Sequence, residues 1–522
     1  MNETRTTRGN VASYALTKLT KSFQATVAVN DVSIEVRQGE IRGVIGRNGA
    51  GKSVLMSVLA GVMPASTGGL EIADRTVDLT SHSPTQARAL GIVLIPQEPL
   101  FAQDLDVLDN IFMGRWPRRL GAIDRGRARA QLKGMSERLG IRVSPDQSMD
   151  ELPIEDQQML ALGTALYVDR ASVLLLDEIT ASLSRSKKQV LGQTLVRAIS
   201  ERPEISVTLI THHIDEVVEF CERVTVMRDG RAVDTLDVST TTKSELANAI
   251  VGDQPVSVPS NAGGTTSRRG KGSRSEVSTV LKASEIAVGN AVSGVSFDLK
   301  VGEVLGVAGL DGSGKDELLA SIAGLATVTQ GSLELDGVPL DTASPLAAGR
   351  AGVVYLPKKR EQFAVLTGLT VQENALALVY GKLRTKFGLI SGAGARETAQ
   401  RTISSLRVKA PDLDMPIESL SGGNRQRVMI GRLLNAGPRV FVLNEPNRGV
   451  DMASTPEVLE AIRSRLAREA GVILTSESEE ELTEICDRIL VIYRGAVVAD
   501  IPRGDDLFES AEIYRLVQGV QA

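Results

Sequence analysis

A glycine-rich segment that occurs twice constrains the fold of this chain more than any other feature. Residues 46–53 read GRNGAGKS and residues 309–316 read GLDGSGKD. In this pattern the glycines let backbone N–H groups surround phosphate oxygens, the lysine neutralises phosphate charge, and a final hydroxyl is a Mg²⁺ ligand. The apolar run 41–45 and the helical stretch 53–60 predict a strand, a loop and a helix that faces the phosphates. The chain is therefore predicted to bind nucleotide at least once, and Asp316 predicts that its halves are not equivalent.

Length and composition exclude several classes of protein. With 522 residues, the chain is long enough for two or more domains. Its formal net charge of −5 does not favour nucleic acid as a partner, and no apolar run approaches the roughly 18–20 residues that span a bilayer. The polar start MNETR is not a signal peptide, so we expect a cytoplasmic protein. The two cysteines, Cys221 and Cys486, exclude a disulfide framework and are predicted to be small buried residues.

The chain is predicted to be a duplication of one domain. Ser83 and Ser344 each precede a proline, which predicts two equivalent helix starts, and an apolar strand follows each of them. Short β-branched runs alternate with helical stretches in each half, which predicts a mostly parallel sheet covered by helices, and the stretch 105–168 is predicted to be a helical subdomain. The predicted organisation is a disordered N-terminus at 1–10, a first domain at 11–251, a flexible linker rich in Gly, Ser, Thr and Pro at 252–278, and a second domain at 279–522.

Polar side chains follow three predicted strands of the first half. Gln97 follows an apolar strand, Asp177 and Glu178 close another, and His212 follows a third. A carboxylate such as Asp177 suits Mg²⁺, and Glu178 could polarise an attacking water. These residues also have ordinary interpretations: a surface glutamine, a carboxylate pair that caps the turn 180–182, and a histidine at a strand end. The order of phosphate loop, glutamine, carboxylate pair and histidine within one domain favours the functional interpretation.

This order resembles the ATP-binding cassette (ABC) family over nearly the whole chain. The resemblance implies an α/β fold with two tandem P-loop NTPase domains, each with a mostly parallel sheet core and a helical subdomain. It also implies ATP and Mg²⁺ as cofactors and ATP hydrolysis as the activity. Gln97 would then link Mg²⁺ to a transport partner, His212 would sense the γ-phosphate, and Phe23 would stack on adenine.

A second resemblance to the family lies in residues 420–424, which read LSGGN where the family signature reads LSGGQ. In the family, this segment closes over ATP bound to the opposite cassette. The first half has LPIEDQ at 152–157, in which Pro153 removes a hydroxyl and an N–H, and two carboxylates would repel phosphate. The second half departs from the family at its nucleotide-binding residues, which are Asp316, Lys358, Asn444 and Glu477.

If the halves pair head to tail as in the family, all the losses fall in one composite site and the other is complete. The complete site is predicted to bind ATP through Phe23, Gly46, Arg47, Asn48, Gly49, Ala50, Gly51, Lys52, Ser53, Asp177, Ser421, Gly422 and Gly423. Its catalytic residues are predicted to be Glu178, His212 and Gln97, and its Mg²⁺ ligands Ser53, Gln97 and Asp177.

Two fused cassettes without membrane segments resemble the ATPase of bacterial sugar importers of the ribose, galactose and xylose type, and PQEPL at 96–100 looks most like the autoinducer-2 importer branch. The resemblance implies integral-membrane permease subunits and, through them, a solute-binding protein as partners. It places the chain at the cytoplasmic face of the inner membrane. The alternative is a tandem ABC ATPase without a role in transport, either ribosome-associated or regulatory. The long charged linker typical of ribosomal cassettes and the heptads of DNA-repair ATPases do not occur in the sequence.

Overall fold

The computed structural model describes residues 11–23, 26–252, 278–358, 364–384, 390–448, 450, 455–468 and 470–520. The chain divides into two compact units, Met1–Asp253 and Gln254–Ala522, which we call unit 1 and unit 2. The predicted disordered segment 1–10 lies outside the described residues, and so does nearly all of the predicted linker 252–278.

Unit 1 contains two main sheets within its described residues. The larger sheet has six strands, all parallel except one edge strand, in the order Arg231–Asp237, Arg223–Arg228, Ile41–Ile45, Ser206–Ile210, Val173–Asp177, Ile92–Ile95. The second sheet is antiparallel, with four strands in the order Thr26–Arg37, Ala12–Phe23, Thr67–Ile72, Arg75–Asp78. A two-stranded hairpin, Arg118–Arg119 and Ala122–Ile123, is separate from both.

Helices cover the sheets of unit 1. The α-helices are Lys52–Leu59, Pro84–Ala89, Val107–Phe112, Arg125–Leu139, Ile154–Gly163, Arg185–Glu201, Ile214–Phe220 and Lys243–Val251. A π-helical turn at Thr164–Val168 extends one of them, and 3₁₀ turns lie at Met149–Glu151, Ile179–Ser182 and Val238–Thr240.

Unit 2 repeats this architecture. Its six-stranded sheet has the order Val353–Leu356, Val440–Asn444, Gly471–Thr475, Val304–Ala308, Arg488–Tyr493, Ala496–Pro502, and its four-stranded sheet Val292–Lys300, Thr279–Val288, Gln330–Leu335, Val338–Pro339. The helices are Lys315–Ile322, Pro345–Ala351, Val371–Leu376, Gly392–Ser405, Gly422–Ala436, Thr455–Ala461, Glu479–Ile485 and Ser510–Val517, with a π-helical turn at Ile462–Leu466 and 3₁₀ turns at Tyr380–Leu383 and Ile417–Ser419.

The core of the larger sheet contains strands that are buried on both faces. Ile41–Ile45 and Ser206–Ile210 are buried at every position, as expected for a parallel sheet with helices on both sides. Across the sheet, Ile210 pairs with Val44 and with Asp177. The carboxyl ends of the three strands therefore meet at one edge, and the loops that follow them lie together, as they do at binding sites in open α/β sheets.

The predicted α/β fold with two tandem domains is confirmed, and so are most of the predicted local elements. Ser83 caps Pro84–Ala89 through a capping box, and Ser344 caps Pro345–Ala351. Both cysteines are free thiols and buried. The predicted subdomain at 105–168 is helical except for the small hairpin, which the sequence pattern did not indicate. Within the described residues, we find no helix long and apolar enough to cross a membrane.

Candidate functional site

The phosphate loop of unit 1 lies between the strand Ile41–Ile45 and the helix Lys52–Leu59, as its sequence predicted. Gly51 has a φ of 92°, and a Cβ there would lie 2.2 Å from the carbonyl oxygen of Ala28. Both the left-handed backbone and the contact exclude a side chain at this position. The loop is therefore held tightly against the antiparallel sheet and begins the helix at Lys52.

Lys52 is buried beneath this loop. Its Nζ donates hydrogen bonds to the carbonyl oxygens of Gly46, at 2.7 Å, and Arg47, at 2.9 Å. Burial lowers the pKa of Lys52 to about 8, although Glu178 and Asp177 act in the opposite direction. A bound phosphate would give the ammonium group a charged partner in place of neutral carbonyls, so Lys52 is poised to neutralise an anion.

Oxygen atoms that suit a divalent cation converge beside Lys52. Ser53 lies at the start of the helix, and its Oγ donates a hydrogen bond to Asp177 Oδ1 at 3.2 Å. Burial raises the pKa of Asp177, and neighbouring Glu178 adds to this, while Ser53 and Lys52 oppose it. A hydroxyl and a carboxylate lie close together here, and both are ligands that Mg²⁺ prefers. Because the site disfavours a negative charge on Asp177, a bound cation would stabilise its carboxylate.

Glu178 and His212 form the second part of the site. His212 Nε2 lies 2.5 Å from Glu178 Oε1, and both side chains are partly buried. Glu178 has a φ of 51°, a left-handed conformation that costs a non-glycine residue on the order of 1–3 kcal/mol. The alternative that its carboxylate caps the following turn is not supported, because within the described structure the turn Ile179–Ser182 has no side-chain cap at Glu178. The strained backbone instead directs the carboxylate toward His212.

Two other predicted site residues lie at the surface. Gln97 is exposed, and its carbonyl oxygen accepts a hydrogen bond from Gln158 Nε2 at 2.5 Å, which ties this loop to the helical subdomain. Its role as a Mg²⁺ ligand stays a prediction. Phe23 is exposed at a strand end, with Lys21 Nζ 5.0 Å from its ring centroid. An aromatic face at this position could stack on a base, and that role also stays a prediction.

The signature segments of the two units begin their helices differently. In unit 2, Ser421 caps Gly422–Ala436 by accepting a hydrogen bond from the N–H of Asn424. Because the Ser421 oxygen serves as acceptor, its O–H can still donate to a phosphate oxygen. The N–H groups of Gly422 and Gly423 lie in the first turn of this helix, where backbone donors favour anions.

In unit 1, Pro153 occupies the cap position of Ile154–Gly163 and brings neither a hydroxyl nor an N–H. The sequence predicted two repulsive charges next to it. The structure modifies that prediction, since Asp156 Oδ1 forms an ion pair with Lys187 Nζ at 2.6 Å and Glu155 Oε2 accepts from the N–H of Ser184. The loss of donors at Pro153 is therefore the larger defect of this segment.

Sequence reasoning missed a buried carboxylate that supports the site. Glu216 accepts hydrogen bonds from the hydroxyls of Thr180 and Thr211, and its other oxygen lies 2.8 Å from Lys188 Nζ. It thereby joins the segment after Glu178 to the segment before His212. A signal was present in the repeat, because Glu216 and Glu481 each lie four residues after the equivalent positions His212 and Glu477. In unit 2, Glu481 accepts hydrogen bonds from the two corresponding segments.

The comparison with known proteins agrees with this geometry. The family model described as ABC transporter matches residues 29–181 and 292–448. A ribose import ATP-binding protein of Burkholderia ambifaria is 34% identical over 497 residues, which are 94% of this chain and 95% of that protein. One from Rubrobacter xylanophilus is 35% identical over 485 residues, 93% of this chain and 94% of that protein. A putative ribose/galactose/methyl galactoside import ATP-binding protein of Agrobacterium fabrum is 33% identical over 487 residues, 93% of this chain and 94% of that protein. The chain belongs to the ABC transporter family.

Proposed function

We propose that this chain is the ATP-hydrolysing subunit of an importer for a sugar and that hydrolysis takes place at unit 1. The observation that carries the proposal is the convergence of Lys52, the Ser53–Asp177 pair and the Glu178–His212 pair at one edge of one sheet. The names of the relatives, which are import proteins for ribose or galactosides, support a sugar as the solute. The narrower resemblance to autoinducer-2 importers stays a prediction.

The residues of unit 1 divide the work of hydrolysis. Lys52 neutralises the β- and γ-phosphates, and backbone N–H groups of Gly46–Lys52 hold their oxygens. Glu178 accepts a hydrogen bond from the attacking water and thereby directs a lone pair of the water oxygen at the γ-phosphorus. His212 holds the carboxylate of Glu178 through Nε2. Ser53 and Asp177 would hold Mg²⁺, which supplies further positive charge to the phosphates. The protein's contribution is mainly positioning and electrostatics.

We further propose that Ser421, Gly422 and Gly423 serve ATP held by unit 1, as the family resemblance implies. Two facts support this part of the proposal. Ser421, at the cap of Gly422–Ala436, has a hydroxyl and a backbone N–H that could face an anion. Pro153, at the cap of Ile154–Gly163, has neither. If the units pair head to tail, the altered nucleotide-binding residues of unit 2 share a composite site with the altered signature of unit 1 and not with the intact signature.

The permease is proposed to contact the segment from Gln97 to Phe101 and its counterpart after Lys358, of which residues 359–363 lie outside the described part of the chain. In unit 1, Leu100 is 88% exposed beside Gln97. In unit 2, a cavity of about 740 Å³ opens at the equivalent edge of the sheet, and most of its lining is apolar, including Leu325, Leu378 and Leu433. An apolar groove of this size fits a short amphipathic helix of a partner. This contact would place the chain at the cytoplasmic face of the membrane.

Reconstitution with a permease tests the proposal. The chain is co-expressed with a candidate sugar permease, purified as a complex in lipid vesicles, and assayed for ATP hydrolysis with and without a sugar-loaded binding protein. We expect co-purification and a stimulation by the loaded binding protein that Glu178→Gln abolishes. A chain that purifies without any permease and hydrolyses ATP on ribosomes instead would support the non-transport alternative and contradict the proposal.

A further inference from the structure

One lysine in unit 2 lies among carboxylates from three separate segments. Lys358 follows the strand Val353–Leu356, at the position that Gln97 has in unit 1. Its Nζ lies 2.6 Å from Glu445 Oε1, 2.8 Å from Asp311 Oδ1 and 3.6 Å from Glu477 Oε1. These carboxylates come from the phosphate loop, from the strand end that corresponds to Glu178, and from the position that corresponds to His212. A single ammonium group therefore joins the segments that would surround a nucleotide.

The charges of Lys358 and Asp311 are firmly held, whereas burial raises the pKa of Glu445 to about 7. Burial acts to lower the pKa of Lys358, but Asp311 and Glu445 outweigh it and raise the pKa above its usual range. Burial likewise acts to raise the pKa of Asp311, but Lys315 and Lys358 outweigh it and lower the pKa below its usual range. The Asp311–Lys358 pair is thus ionised at neutral pH. Lys358 is only 16% exposed, so its charge acts on these carboxylates with little screening by water.

Of the two positions that would bind Mg²⁺ in unit 2, the one occupied by Asn444 presents an N–H group, and this group engages the carboxylate of Asp316 at the other. Asn444 Nδ2 donates hydrogen bonds to Asp316 Oδ1, at 3.0 Å, and to the hydroxyl of Tyr355, at 3.3 Å. The orientation of the amide follows from Thr475, whose Oγ1 accepts from the N–H of Glu445 and whose hydroxyl donates to Asn444 Oδ1 at 2.9 Å. The amide oxygen is therefore engaged away from Asp316.

An N–H group faces Asp316 where unit 1 has a carboxylate facing Ser53. A partial positive charge at this point repels a cation, and Asn444 cannot supply the anionic oxygen that Asp177 supplies. The residues of unit 2 consequently do not fit Mg²⁺, although the phosphate loop itself is intact in its glycines and in Lys315.

We propose that the ammonium group of Lys358 takes the place of a divalent metal ion in unit 2. It balances the charge of the carboxylates at the phosphate loop, so this loop recruits no metal ion. Positive charge for a phosphate group at this loop then comes from lysine side chains, among them Lys315 and Lys358. This proposal concerns unit 2 and does not depend on the solute or on hydrolysis at unit 1.

The stoichiometry of bound Mn²⁺ tests the proposal. Mn²⁺ is the probe because its electron paramagnetic resonance signal separates free from bound ion, and the full chain is titrated in the presence of a nonhydrolysable ATP analogue. We expect at most one Mn²⁺ per chain in the natural protein and weaker Mn²⁺ binding in Asp177→Asn, which removes the carboxylate ligand proposed for unit 1. A second bound Mn²⁺ per chain in the natural protein, or Mn²⁺ binding that Asp177→Asn leaves unchanged, would overturn the proposal.

Substitution of the lysine gives a second, independent readout. Lys358→Gln removes the cation that Asp311 and Glu445 share and leaves each with a partner, Lys315 at 3.4 Å for Asp311 and Arg448 at 3.3 Å for Glu445. We therefore expect its melting temperature to rise with millimolar Mg²⁺ or Mn²⁺, because the ion replaces the lost positive charge. Lys358→Arg retains the charge and should not respond. Lys382→Gln is the matched control, since Lys382 Nζ donates to the carbonyl of Ala436, at 2.7 Å, rather than to a carboxylate. An equal response of the natural protein and Lys358→Gln to the metal ion would contradict the assigned role.

Discussion

Glu178→Gln should leave ATP binding intact and slow hydrolysis strongly. The glutamine oxygen can still accept the hydrogen bond that His212 Nε2 donates at the 2.5 Å contact, so the side chain stays in place. Its NH₂ group, however, cannot accept a hydrogen bond from the attacking water. Removal of a group that accepts a proton or orients water costs roughly 10²-fold or more in rate, which corresponds to about 2.7 kcal/mol of activation free energy.

Binding should be preserved because the groups that hold phosphate are not changed. Lys52 keeps its charge and the Ser53–Asp177 pair keeps its geometry, and the loss of one carboxylate near the phosphates weakens repulsion. The assay measures turnover in the permease complex and the affinity for a fluorescent ATP analogue on the same samples. The expected pattern is a large fall in turnover with an affinity that is unchanged or higher.

The counterpart Glu445→Gln is the control for this prediction. Glu445 occupies the same left-handed position, with a φ of 50°, but its Oε1 lies 2.6 Å from Lys358 Nζ. Because the carboxylate is engaged by a fixed ammonium group, it is not available to a water, and the substitution should change turnover only a few-fold. Equal losses in the two variants would refute the assignment of hydrolysis to unit 1.

Three further predictions follow from the geometry of the site. Gly51→Ala should abolish nucleotide binding and lower the free energy of unfolding by about a few kcal/mol, because a Cβ there would lie 2.2 Å from the Ala28 carbonyl oxygen and φ is 92°. Urea unfolding and ATP binding measure the two effects, and a variant as stable as the natural protein would contradict this prediction. ATP binding at pH 8.5–9 should be accompanied by proton uptake, because burial lowers the pKa of Lys52 to about 8 in the free protein and phosphate raises it; calorimetry in buffers of different ionisation enthalpy measures the uptake, which should vanish at pH 6.5. Ser421→Arg should abolish stimulated hydrolysis while Pro153→Arg has a far smaller effect, and the opposite result in folded proteins would refute the proposed use of the intact signature by unit 1.

Local sequence patterns predicted the α/β fold with two tandem domains, and they indicated the loops in which the residues of the candidate site lie. The phosphate loop is recognisable because its glycines and lysine lie within eight consecutive residues, and the strand Ile41–Ile45 before it is short and mostly apolar. Helix starts such as Ser83 with its following proline are equally local. Features of this kind are encoded in short stretches, so the order of the chain is sufficient to find them.

The contacts between charged groups depend on the tertiary structure. The sequence placed Glu178 and His212 in one domain, but their contact depends on Val173–Asp177 and Ser206–Ile210 being neighbours in the sheet. In the sequence, Lys358 is notable only because it replaces the glutamine that the family has at this position. The pairings of Lys358 with Asp311 and Glu445 join segments that are far apart in the chain, and the strength of each pairing depends on burial. Strand order and desolvation are properties of the assembled core, and a local pattern contains neither.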